Sequence, residues 1–373
     1  MSKGLVVVHD PHNLYQFVWY YCSKDNDPNK QWDALCLPNG YKGEYMHTDC
    51  EKTNIFSHIY RNDTDFSILP VSKKIKIFAK MLLYFICGQR TRYCRKFLSQ
   101  YVNIDDYDEL VVICDVGIVT GACIALGKEK KVVILEDGTG DYIPRYRFMN
   151  KTQLKSLYCW QCFLLALMGY SSPERFKLST NRNCIKYCSM PSKIQYADYR
   201  EIRQLYDNTK IDRILFDNIV KKMYPIISLI DFNDIETIVF TKDFKDFVLD
   251  SDKYKERLEK YIQNYYDNVL IKKHPRENQE YNFGTGVKAM EIDKSIPAEA
   301  LMPYIAGKEV LICSASSVII YTKPYDIRCK VLDFDGMYEE SFSCGSKWHP
   351  FSPQSLKNYC DEFTEGNYEI VNL

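Results

Sequence analysis

The stretch Lys131 to Tyr142, KVVILEDGTGDY, runs five residues of buried-strand character straight into two carboxylates and a glycine turn. An apolar run without alternation belongs to a strand covered on both faces, as in a parallel sheet, and this restricts the chain to α/β architectures. Glu136 and Asp137 fall at the carboxyl end of that strand. This is the edge at which open α/β sheets bind ligands, because the loops there form a crevice. A carboxylate in that place can serve as a general base. Asp137-Gly138 also reads as a plain turn dipeptide, so the chemistry has to be supported by what accompanies it.

The same alternation runs through the whole chain. Gly4 to Val8 is a first strand ending in His9-Asp10-Pro11-His12-Asn13, and helical spacing follows from Leu14 to Cys22. No GxGxxG opens that helix, so the dinucleotide fingerprint is missing. His9 and His12 read either as ligand-facing or as solvated loop residues. Ala34–Leu37 and Ile55–Ile59 are short strands, Glu109–Cys114 is another buried strand, and Val116–Leu126 is a helix rich in small residues. Residues 150–192 read as an apolar helical insertion. Its Cys159, Cys162, Cys184 and Cys188 have zinc-like spacing, but a Trp- and Leu-rich context favours core thiols. Ala197–Tyr224 reads as a charged helical connector.

The strand series then restarts: Thr237–Phe240, a helix from Ser251, Asn268–Lys272, Val310–Cys313 and Val331–Phe334. The expectation is a GT-B-like α/β arrangement of two Rossmann-like domains, residues 1–225 and 226–373, facing a central cleft. At 373 residues the chain is long enough for two cores.

A net charge of zero argues against a nucleic-acid partner. Fifteen scattered cysteines and no secretory leader pattern point to reduced thiols in the cytoplasm. The longest apolar stretch, Tyr158–Tyr170, falls short of a bilayer span. Residues 73–96 are strongly basic around the apolar Ile77–Ile86, which suits either a helix on an anionic membrane surface or a core-packed helix with a solvated face.

Three features recur at strand ends in the second half. His274-Pro275 follows NVLIKK and is flanked by Lys272, Lys273 and Arg276, a setting in which an imidazole can bind or protonate a phosphate. Thr241 follows the preceding strand. Ser314, Ser316 and Ser317 open a helix expected at Val318, and hydroxyls with free N–H groups there make an anion site or a plain N-cap. Pro297 starts a further helix with Glu299 in its first turn, where a carboxylate can accept two ribose hydroxyls or simply complement the dipole. A base in one half and a phosphate cradle with a ribose clamp in the other suit transfer from a nucleotide-activated sugar.

The order EDG (Glu136-Asp137-Gly138), HP (His274-Pro275), PxE (Pro297 to Glu299) and SxSS (Ser314 to Ser317) resembles the bacterial sialyltransferase group that includes glycosyltransferase family 52 and the bacterial polysialyltransferases. The resemblance implies a GT-B fold and inverting, metal-independent transfer from CMP-sialic acid, with no cofactor beyond that donor. It implies Glu136 as general base, His274 and the serine pair on the departing phosphate, and Glu299 on the ribose; Thr241, Lys273 and Pro275, by their place at the strand ends, are expected beside the nucleotide. The acceptor it implies is an oligosaccharide or glycolipid of lipooligosaccharide or capsule, met at the inner face of the cytoplasmic membrane. A homodimer stays open. Rivals are a transferase using CMP-Kdo, a metal-dependent enzyme built on Asp333-Phe334-Asp335, and a non-catalytic glycan-binding module.

Overall fold

The structure, a computed structural model, describes residues 2–37, 43–62, 70–113, 118–136, 138, 142, 183–194, 199–243, 251–339, 355–364 and 367–373. The chain divides into two compact units, Met1–Met223 and Tyr224–Leu373. Asp137, Cys159, Cys162 and most of the expected insertion lie outside the described residues.

The first unit is built on seven strands: β1 (Lys3–Val8), β2 (Gln31–Cys36), β3 (Phe56–Arg61), β4 (Glu109–Ile113), β5 (Lys131–Leu135), β6 (Cys184–Cys188) and β7 (Glu201–Gln204). All pair in parallel, in the order β3-β2-β1-β4-β5-β6-β7. The central β4 is buried at every position and β5 at all but its first, which is why their apolar residues run without alternation. Gly4 is required where β1 meets β2: a Cβ there would stand 2.4 Å from the Trp32 ring. Helix α1 (Pro11–Tyr21) starts at Asp10, whose carboxylate accepts the Asn13 N–H at 2.8 Å, with Pro11 in the first turn. The basic segment forms two helices, α2 being Gly43–Thr53, α3 Val71–Ile86 and α4 Arg90–Leu98. Gly88, at φ 67°, ends α3, with its N–H on Phe85 O and that of Gln89 on Tyr84 O.

Two expectations change here. The Cys184–Cys188 part of the supposed helical insertion is strand β6, fully buried and paired with β5. Its sequence, CIKYC, carries Lys186 mid-strand, and that ammonium is satisfied inside the sheet by Leu135 O at 3.1 Å. Cys184 and Cys188 are buried and in no disulfide. The connector likewise contains β7 ahead of its helix, Arg213–Met223.

The second unit repeats the plan with β8 (Thr237–Phe240), β9 (Asn268–Lys272), β10 (Lys288–Ile292), β11 (Glu309–Cys313), β12 (Arg328–Asp333) and β13 (Tyr368–Asn372). Their order is β10-β9-β8-β11-β12-β13, again all parallel. Helix Ser251–Tyr265 packs Tyr254, Leu258 and Ile262 on one face of this sheet with Val239, Ile271 and Leu311. In each unit the chain reverses its winding between the first and fourth strands of that unit, which opens a crevice at their carboxyl ends. No helix among the described residues is long and apolar enough to cross a membrane.

Candidate active site

In the second unit three candidate site residues are brought level by strand register. Phe240 pairs with Lys272 on one side and with Ile312 on the other. Two residues further along each strand stand Lys242, His274 and Ser314, side by side at the carboxyl edge of the three central strands. The Lys242 ammonium, only 8% exposed, donates to Ala315 O at 2.8 Å and so spans β8 and β11 across the switch point. Burial pushes its pKa down to about 7.

His274 is held by the turn that its proline makes. Pro275 occupies the second position of a β-turn closed by the Glu277 N–H on His274 O at 2.9 Å. The Arg276 N–H points at Nδ1 of the imidazole at 3.3 Å, so the neutral ring carries its proton on Nε2. Burial, then the cations Arg276, Lys242 and Lys272, bring the His274 pKa down to about 4. At neutral pH the ring is therefore an uncharged Nε2–H donor. The buried Glu277 carboxylate accepts the His274 N–H at 3.2 Å and the hydroxyls of Thr241 and Tyr281, locking the turn to the end of β8.

The other expected positions take distinct places. Thr241 has its hydroxyl on Glu277. Lys273 is buried and paired with Glu291 at 2.7 Å and Glu280 at 3.5 Å. Glu299 is buried in a three-residue 3-10 turn, Ala298–Ala300, after Pro297, and its charge acts on Lys272, whose pKa burial lowers to about 8. Ser314 is buried with φ 59°, a left-handed conformation that a serine adopts at a cost. Ser316 caps the next turn, its Oγ accepting the Val318 N–H at 3.4 Å, and Ser317 is exposed. The helix expected at Val318 is a 3-10 segment of five residues, Ser317–Tyr321, because a run of β-branched side chains there turns inward and Pro324 follows. Asp333 accepts the Gly336 N–H at 3.2 Å and Asp335 pairs with Arg257 at 2.5 Å, the geometry of a turn.

In the first unit Glu136 follows β5 directly and is fully buried. Its carboxylate accepts the Ser189 N–H at 2.6 Å, the Ser189 hydroxyl at 3.1 Å and the Tyr142 hydroxyl. Tyr142 in turn accepts the Met190 N–H at 3.1 Å, so the loop after β6 fixes the acid's orientation. Gly138 is buried at φ 79°, a conformation glycine adopts without strain.

Two parallel doubly wound sheets, each with its own switch point, make the fold GT-B, and the family that the sequence matches makes the protein a glycosyltransferase. The family is equally plain. The sequence model of the alpha-2,8-polysialyltransferase (POLYST) family matches residues 107–330, and the chain belongs to that family. Among solved structures, a UDP-glucosyltransferase from Polygonum tinctorium shares the fold, with a TM-score of 0.50 and 10% identity, covering 88% of this chain and 79% of that one. A Photobacterium damsela sialyltransferase gives a TM-score of 0.48 at 14% identity, covering 99% and 81%. MurG of Acinetobacter baumannii gives 0.44 at 10%, covering 100% and 86%. No curated protein sequence matches the chain.

Sequence reasoning named Glu136, His274, Glu299 and the serines, and missed Lys242, Glu277, Ser189 and Tyr142. Lys242 was within reach, since it stands as far beyond its strand as His274 does beyond β9. Glu277, Ser189 and Tyr142 act on other side chains, and nothing in the sequence says which.

Proposed function

We propose that the protein transfers sialic acid from CMP-sialic acid to a hydroxyl of a bacterial surface glycan, of lipooligosaccharide or capsule, with inversion, without metal or cofactor, and in the cytoplasm. The observation that carries this reading is the level row Lys242, His274 and Ser314, an ammonium, an imidazole N–H and a serine gathered at one switch point. Such a row offers a cation and donors to a phosphate without a divalent ion. Membership of the alpha-2,8-polysialyltransferase family supports sialic acid as the sugar. The eleven described cysteines that form no disulfide agree with a reducing compartment.

In the reaction Glu136 takes the proton from the acceptor hydroxyl as the oxygen attacks the anomeric carbon, and its serine and tyrosine donors keep it aimed. The bond from sugar to phosphate breaks through an oxocarbenium-like state, and the electron pair goes to CMP. His274 donates Nε2–H to the departing phosphate while Lys242 balances its charge. Glu299 holds the ribose hydroxyls, and the Ser316 and Ser317 groups complete the phosphate cradle.

The test is a thermal-shift comparison of CMP, UDP, GDP and NAD without added metal, because a ligand that binds only the folded state raises its apparent stability. A shift with CMP alone supports the reading and leaves sialic acid against Kdo to be decided by donor turnover. A shift that requires UDP or GDP with manganese overturns it.

A further inference from the structure

Helix α3 is apolar on two opposite faces. Ile77, Met81 and Tyr84 fall on one arc and pack into the first unit's core, where Tyr84 meets Tyr93 at 5.4 Å between ring centroids. On the far side Ile75, Ala79, Leu82 and Ile86 share an arc of about 60° at 3.6 residues per turn. Ile75 is 59% exposed, Leu83 beside the row 60% and Ile86 71%, with Leu82 and Phe85 also exposed. A soluble monomer seldom leaves a contiguous row of this kind uncovered. Lys73, Lys76 and Lys80, all exposed, fill the adjoining arc and form no ion pair among the described residues. The charge around them has one sign: between Asp65 and Asp105 the chain carries eight lysines and arginines and no acidic residue, although its net charge is zero. Arg92 and Lys96 of α4 extend the exposed positive charge.

We propose that this outward face of α3 docks on an anionic lipid surface, Ile75, Leu82, Leu83, Phe85 and Ile86 entering the headgroup boundary and the flanking lysines meeting lipid phosphates. An apolar row and a cationic flank are each satisfied by that partner, and only together. A second copy of the chain covers the row but sets lysine against lysine, with no acid in the segment to relieve them. A soluble polyanion satisfies the lysines and leaves the row in water.

The test is co-sedimentation of the full chain with vesicles of phosphatidylcholine alone and of phosphatidylcholine mixed with phosphatidylglycerol, at low and high salt. The expected result is pelleting with the anionic vesicles only, released as salt screens the charges. Leu83→Ser with Ile86→Ser, and separately Lys73→Gln with Lys76→Gln and Lys80→Gln, each lower the bound fraction roughly tenfold or more. All these positions are exposed, so the variants keep the wild-type unfolding midpoint, which is measured alongside. Three results overturn the proposal: no pelleting of the wild type, full pelleting of the serine variant, or a dimer in light scattering that Ile86→Asp dissociates.

Discussion

Replacing Lys242 by methionine should stabilise the empty protein at acid pH while spoiling its grip on CMP. Burial moves the ammonium from its ordinary 10.5 to about 7, which corresponds to about 5 kcal/mol of cost for carrying the charge inside the fold. Between those two values the unfolded chain holds a proton that the folded chain has released, so stability rises with pH across that window. Below about 7 both states are charged and the fold carries the whole cost. Methionine removes it but strands the Ala315 carbonyl, a loss of about 2 kcal/mol. The expected net gain is about 3 kcal/mol at pH 6. It should vanish near pH 9, where the wild type has itself recovered about 3 kcal/mol by deprotonation. Urea unfolding at the two pH values reads this difference. Calorimetry with CMP should show affinity weakened by roughly 10-fold or more, the scale of one charged hydrogen bond. A methionine variant less stable than wild type at pH 6, or an equal gain at both pH values, would refute the argument.

Glu136→Gln should lower turnover by roughly 100-fold while leaving CMP affinity unchanged, the signature of a lost general base; an unaltered rate in a transfer assay removes Glu136 from that role. His274 has its pKa brought from 6.5 to about 4, chiefly by burial, so the unfolded chain takes up the proton first as pH falls. Stability present at pH 7 is therefore lost through this window, by about 3 kcal/mol at pH 4. His274→Gln should flatten that part of the acid-unfolding curve, and a curve with the wild-type slope would show that the imidazole is not held neutral by the fold.

The sheets were legible because buried parallel strands leave nothing to alternate: VVIL, LVVI and VLIC each mark a strand without help from their surroundings. CIKYC concealed β6, since its central lysine is paid for by a carbonyl on the neighbouring strand, a partner only the fold supplies. KAMEI concealed β10, an edge strand largely in water. Within the candidate site the motifs pointed to Glu136 and His274 by chemistry and position. The bonds from Glu277 to Thr241 and from Ser189 to Glu136 join residues 36 and 53 positions apart, and no local pattern encodes such a pair.

The two sheets share one strand order through their first six strands, each wound outward from its own centre. The consequence is evolutionary insulation. Substitutions after β8, β9 and β11 alter one edge without touching the hydrogen-bond ladder that presents Glu136, and the reverse holds equally. A lineage built on this plan can therefore exchange what one half recognises, loop by loop, while the other half keeps its inheritance.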